Sequence, residues 1–181
     1  MSDFITQLKE PIDLDKIKLD LEQMLSLTTW EPNNQIGIRH RKNALDQWKD
    51  CTGWIYNSID KKVLATEKDF DRWNDQCPNY TRSVLDALAD RNGIKWGRIR
   101  LMRLMPKTGL TMHKDDGYRY HLVIETNPNA IFGECFEKMP FRSICYHIPA
   151  DGHWYRVNTA KEHFVFNGGW TPRIHLVACA I

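Results

Sequence analysis

Patterned cysteine is lacking in this chain. Its five cysteines, Cys51, Cys77, Cys135, Cys145 and Cys179, are odd in number, scattered, and form no CxxC. That excludes a disulfide framework and a cysteine zinc site, and it points to a reducing, cytoplasmic setting. Also missing is any run of eighteen apolar residues, and the amino-terminal MSDFITQLKEPIDLD has no apolar stretch of signal-peptide type. Neither a membrane span nor a secretory leader is expected. No block of five like charges occurs and the formal net charge is only +2, so no electrostatic footprint for nucleic acid is expected. Internal repeats and low-complexity linkers are absent as well. What remains, 181 residues of which 42% are apolar and 27% charged, fits one domain with a full core.

Residues 13–27 place Leu14, Ile17, Leu21, Met24 and Leu25 on one helical stripe. Pro32, Asn33 and Asn34 predict a turn, residues 35–38 a short strand, and GWIYNSI around Trp54 another. Trp30, Trp48, Trp54 and Tyr56 are candidates for core or for a pocket wall. A second helix is expected over 79–91, with Thr81 as N-cap, Val84, Leu85 and Leu88 facing inward, and Asn92 and Gly93 as the stop. From Trp96 the character changes to seven short runs: GRIRLMRLM, YRYHLVIE, AIFGECF, FRSICYHI, HWYRVNT, EHFVF and RIHLVACA. Seven strands at this spacing argue a sandwich or barrel, of which a double-stranded jelly roll is one solution. Arg98 and Arg100 alternate with Ile99 and Leu101, which predicts one wet face, and Pro106 and Gly109 predict a loop after that strand. The expected organisation is a single domain, 1–181, in which a helical and mixed region, 1–95, supports a mainly β jelly-roll core, 96–181.

Two stretches concentrate the chemistry: TMHKDDGYRYHLVIE (111–125) and NTAKEHFVFNGGWTPRIHLV (158–177). In an extended chain His113 and Asp115 share one face, about 7 Å apart. Asp116 competes as the carboxylate but would point to the opposite face. For a third ligand His163 has rivals in His147, His153 and His175. His163 is the candidate because the residues after it turn the chain straight back. A turn at Asn167, Gly168 and Gly169 would bring residues 170–173 back along 163–166 and set Arg173 level with His163. Two histidines and one carboxylate leave other coordination positions open, as suits non-haem Fe(II) oxygenases. A nearby guanidinium suits bidentate capture of a carboxylate.

On these residues, roughly 98–181, the chain resembles the Fe(II)/2-oxoglutarate-dependent dioxygenases, and within them the aspartyl/asparaginyl β-hydroxylase-like group that includes free-proline hydroxylases. The resemblance implies a cupin-like double-stranded β-helix. It makes His113, Asp115 and His163 the iron ligands and Arg173 the partner of the far carboxylate of 2-oxoglutarate. Arg119 and His121, which share a face, would meet the carboxylate nearest the metal. Fe(II), 2-oxoglutarate and O2 are the implied cofactor and co-substrates, succinate and CO2 the by-products, and hydroxylation of an unactivated carbon the outcome. The substrate is expected to be a small molecule or a peptide: a free amino acid, or an aspartyl or asparaginyl side chain in a polypeptide. A nucleic-acid demethylase of this superfamily would resemble a pattern with a second arginine six residues after Arg173, and Cys179 stands there. The alternatives are a non-oxidative cupin-like metal binder holding Zn or Ni, in which Arg173 has no task, and an interaction module without metal. Trp154, Asn158 and Asn167 read as structural, and His175, sharing the parity of Arg173, as a neighbour beneath the site. Nothing in the sequence sets the oligomeric state.

Overall fold

The computed structural model describes residues 3–57, 59–60, 62–138 and 141–181. In chain order it begins with β1 (Ile5–Pro11), α1 (Leu14–Leu27), β2 (Gln35–Gly37), β3 (Arg39–His40), β4 (Arg72–Trp73) and α2 (Asn79–Asn92). There follow β5 (Trp96–Leu104), β6 (Thr108–His113), β7 (Tyr118–Glu125) and β8 (Ala130–Lys138). The chain ends with β9 (Phe141–Tyr146), β10 (His153–Asn158), β11 (His163–Asn167) and β12 (Arg173–Ala180). Two compact units result. One takes Met1–Leu14 and Arg103–Leu176, the other Asp15–Met102 and Val177–Ile181.

In the first unit β1, β10, β7 and β12 follow one another in one sheet, and β6, β11, β8 and β9 in a second. From β6 onward the chain changes sheet at every connection except the one from β8 to β9. That alternation is the jelly roll expected from the run of short strands. Val123, Tyr155 and Val157 of one sheet pack with Phe132 and Val165 of the other, joined by Phe4 and Ile148. Apolar side chains from two facing sheets are what a sandwich must bury.

Two expectations fail in this unit and one strand goes unforeseen. The loop expected at Pro106 and Gly109 is cut short: strand β6 already begins at Thr108, because residues 108–113 pair with β11 although their side chains are mostly exposed. β1 has no apolar alternation to announce it, and only its pairing with β10, Ile5 opposite Val157, makes it a strand. The expected hairpin from 163 to 173 does not exist. β11 lies between β6 and β8, and β12 lies in the other sheet. The connection is a crossing held by the carboxamide of Asn167, which is fully buried. Its Nδ2 donates to the carbonyls of Leu104 (3.0 Å) and Thr171 (2.9 Å). Its Oδ1 accepts from Asn127 Nδ2 at 3.0 Å and from the Gly169 N–H at 3.2 Å.

In the second unit both helices fall where their periodicity put them. α1 buries Ile17, Leu21 and Met24, while Leu25 stays exposed; α2 buries Thr81, Leu85 and Leu88, with Val84 half-buried. Thr81 is not the N-cap. Pro78 occupies that position, and Thr81 sits inside the first turn, where its N–H and hydroxyl both donate at 2.7 Å to Asp20 of α1. A carboxylate from another helix thus serves the orphan N–H of the first turn. Gly93 ends α2 with φ +62, its N–H donating to Ala89 O, the left-handed cap its residue type favours.

The wet face expected for β5 is absent, since Trp96 through Leu101 are all buried. Arg98 donates to the carbonyls of Cys51 (2.6 Å) and Gly53, and Arg100 to Gln35 Oε1 (3.2 Å) and Gly53 O (3.3 Å). A loop whose carbonyls lack ladder partners takes up both charges. GWIYNSI does not form a strand among the described residues, and Ser58 lies outside them; Tyr56 makes only an isolated bridge to Val63. Trp30 and Trp48 are core, whereas Trp54 and Tyr56 are exposed and meet edge to face at 4.9 Å. Among the described residues no helix is long and apolar enough to cross a membrane.

Asn167→Ala strips the crossing of four hydrogen bonds in a dry position and is expected to lower unfolding free energy by about 2 kcal/mol or more, read from urea denaturation. Gly97→Ala is expected to lower it by about 1–3 kcal/mol, because its new Cβ would lie 2.4 Å from the Glu67 carbonyl oxygen.

Candidate metal centre

β6 and β11 run antiparallel with one slip. Val165 faces Leu110, yet His163 faces His113, where an unbroken ladder would present Met112. One extra residue on β6, a bulge, accounts for the shift. It sets the two imidazoles side by side with ring centroids 4.3 Å apart. Asp115 follows the end of β6, its N–H donating to Thr159 O at 2.9 Å. Gly117 O closes the turn by accepting from Ala160 N–H (3.1 Å) and Thr159 Oγ1 (2.9 Å).

So held, Asp115 Oδ2 lies 3.6 Å from Nε2 of His113 and 3.6 Å from Nε2 of His163. Its other oxygen takes Arg119 Nη2 at 2.9 Å. One donor atom from each of His113, Asp115 and His163 lies within 4.8 Å of the others. Asp116 is exposed. Of the rival histidines, His147 is exposed with its ring against Ala130 O, and His153 sits 3.3 Å from Asp151.

The ring protons can be assigned from their partners. His113 Nδ1 faces Thr111 O at 2.6 Å and His163 Nδ1 faces Lys161 O at 2.9 Å. A carbonyl only accepts, so both Nδ1 atoms carry hydrogen when the rings are neutral and both Nε2 atoms present lone pairs toward Asp115. That is the state a metal-binding imidazole needs, its second nitrogen held by a backbone carbonyl. Donors bonded at roughly 2.0–2.2 Å to one ion lie about 3–4 Å apart, close to what is seen. Two nitrogens and one carboxylate oxygen fit a divalent transition metal with open positions.

Charge is arranged around this trio. Burial alone would raise the Asp115 carboxyl, but His113 and the Arg119 guanidinium outweigh it and hold it down to about 2. Asp115 in turn raises His113, whereas burial lowers His163. Arg173 opens β12 and is buried; burial pushes its guanidinium down to about 9, so it keeps its charge at neutral pH. Among the described residues it forms no ion pair with a carboxylate. Its neighbours are the Phe132 ring, 5.9 Å from Cζ, and His175 Nδ1, 3.0 Å from Nη2. Phe132 also stacks on His163 at 5.4 Å, so one ring joins the arginine to the trio. His121 is buried on β7, edge-on to Phe132 at 5.5 Å and in contact with His175.

All six residues singled out from the sequence therefore lie in the first unit, and the Phe132 ring meets three of them, His121, His163 and Arg173. Sequence reasoning gave Phe132 no place and underrated His175. It also missed the clamp behind His163, where Lys161, whose carbonyl holds the ring, reaches Glu134 at 2.8 Å and Asp3. Glu134, directly opposite His163 on β8, accepts from Tyr146 as well. No spacing signal announced that clamp.

Comparison with known proteins adds the family. The sequence profile described as aspartyl/asparaginyl beta-hydroxylase matches residues 13–180. AviO1 of Streptomyces viridochromogenes is similar in structure with a TM-score of 0.57 at 11% identity, over 97% of this chain and 88% of that one. HygX of Streptomyces hygroscopicus, solved with iron bound, gives 0.53 at 8% over 97% and 81%. An oxidoreductase of the 2OG-Fe(II) oxygenase family from Burkholderia pseudomallei gives 0.44 at 16% over 56% of each chain, so this chain spans little more than half of that protein's length. No curated protein matches. At such identities the structural likeness is one of fold, and the profile carries the assignment: this chain belongs to the aspartyl/asparaginyl beta-hydroxylase family.

Proposed function

We propose that this protein is an Fe(II)- and 2-oxoglutarate-dependent oxygenase that hydroxylates a carbon of an amino acid or of an aspartyl- or asparaginyl-type side chain in a polypeptide. The observation that supports it most is a pairing: three convergent ligand atoms beside a buried guanidinium that has no carboxylate partner among the described residues. A metal binder that oxidises nothing has no use for that arginine.

His113, Asp115 and His163 would hold Fe(II), which when bound supplies the oxidising chemistry with O2 and 2-oxoglutarate as co-substrates. Arg173 would take the far carboxylate of 2-oxoglutarate, its charge undiluted by an internal counter-ion and strengthened by the dry surroundings. Arg119 ties back one oxygen of Asp115 and leaves the other to the metal; with His121 it would face the carboxylate nearest the metal. Phe132, whose ring meets both His163 and Arg173, would keep water from the space between them. Five free cysteines suit a reducing cytoplasm, and a small-molecule or peptide substrate suits the family.

Anaerobic Fe(II) protein given 2-oxoglutarate is expected to develop the weak visible charge-transfer band of the chelate and, on admission of air, to form succinate slowly without added substrate. His163→Ala should lose both. Arg173→Ala should weaken 2-oxoglutarate at least roughly 30-fold, as for loss of one partner of a buried charge pair. Iron bound with neither band nor succinate would instead make this a cupin-like metal binder. Metal loading should also depend on acidity in a defined sense. Asp115 is ionised and His163 deprotonated near neutrality, so only His113, raised above its ordinary 6.5 by Asp115, has a proton to give up. Affinity for Mn(II) is expected to fall as pH drops through that raised value, with at most one proton released per ion near pH 7. Calorimetry in buffers of different ionisation enthalpy counts those protons, and a count near two would refute the assignment.

A further inference from the structure

Arg173 and His175 on β12 and His121 on β7 form a buried row in which the preceding chemistry gives His175 no part. Arginine only donates, so at 3.0 Å from Arg173 Nη2 the Nδ1 of His175 must accept. His175 therefore carries its proton on Nε2. His121 Nδ1 lies 3.3 Å from that same atom. Two ring nitrogens in hydrogen-bond contact need one hydrogen between them, and it has to be on His121. One lone pair on His175 thus fixes the arginine and the tautomer of the second histidine together. The two remaining ring atoms, His121 Nε2 as acceptor and His175 Nε2–H as donor, are buried without partners among the described residues.

The residue type matters here. A carboxylate at position 175 would hold the guanidinium equally well, but it would also neutralise it, and an incoming carboxylate would have to displace it. A neutral imidazole gives direction and leaves the charge free. We infer that His175 is a positioning residue for dicarboxylate capture: it aims the Arg173 guanidinium and fixes His121 as the Nδ1–H tautomer without supplying a competing counter-ion. The inference rests on the reading that Arg173 receives the far carboxylate of 2-oxoglutarate.

Its test compares two 2-oxo acids that share the metal-binding end, 2-oxoglutarate and 2-oxobutyrate, the second lacking the far carboxylate. Binding of each to anaerobic Mn(II)-loaded protein is measured by calorimetry for the wild type, His175→Asp and His175→Asn. Asp should weaken 2-oxoglutarate about tenfold or more and leave 2-oxobutyrate unchanged. Asn, whose side-chain oxygen can stand where Nδ1 stands, should restore binding to within a few-fold. Nitrogen-15 NMR of the histidine-labelled wild type, which needs no variant to fold, should show His175 protonated on Nε2 and His121 on Nδ1. The reversed tautomers would overturn the inference, and so would an Asp variant that binds both acids as the wild type does while Arg173→Ala still loses 2-oxoglutarate. A wild type that does not prefer the dicarboxylate would overturn the co-substrate reading itself.

Discussion

A single slip in register governs the site. Without the extra residue on β6, Met112 would stand opposite His163, and His113 and Asp115 would be displaced with the loop that follows. Everything else that positions the ligands assumes this slip: the carbonyl of Thr111 against the His113 ring, the tie from Asp115 N–H to Thr159, and the Gly117 turn. A bulge re-aims one side chain at the expense of a locally broken ladder. The surrounding bonds are numerous enough to hold it.

The second constraint is electrostatic. A guanidinium buried without a carboxylate works against folding by several kcal/mol even after relaxation, and Phe132 and His175 offset only part of that. Nearby Arg119 shows the ordinary solution, a direct pair with Asp115. Two arginines in one unit are thus treated in opposite ways. Local choices that weaken a fold concentrate where a ligand completes them.

How much of this could be read in the residues follows from where each constraint lives. The order His113, Asp115, His163, Arg173 is a spacing, and spacing survives in sequence, so those residues and the short-strand core were legible. Both helices were visible through their periodicity, but bulk did not separate Trp30 and Trp48, which are core, from Trp54 and Tyr56, which are exposed. The bulge was not visible, because TGLTMH carries no mark of which ladder it will join. Nor was the crossing from β11 to β12: Asn167, Gly168 and Gly169 announce a turn, and only the Leu104 and Thr171 carbonyls, distant or downstream, decide that it leads to the other sheet. Arg98 and Arg100 misled for the same reason. Alternation suggested water, but the unmet carbonyls of residues 51 and 53 lay elsewhere in the chain. Thr81 has the composition of a cap and was drawn inward by Asp20.

β6 stands at the outer edge of its sheet, with Leu110 and Met112 exposed along it and one imidazole of the trio at its end. An edge strand is a template on which another chain can pair. A bound ion would clip the end of this strand to its neighbour and so act as a fastener against fraying and self-association. The lifetime of the fold would then depend on whether that ion is in place.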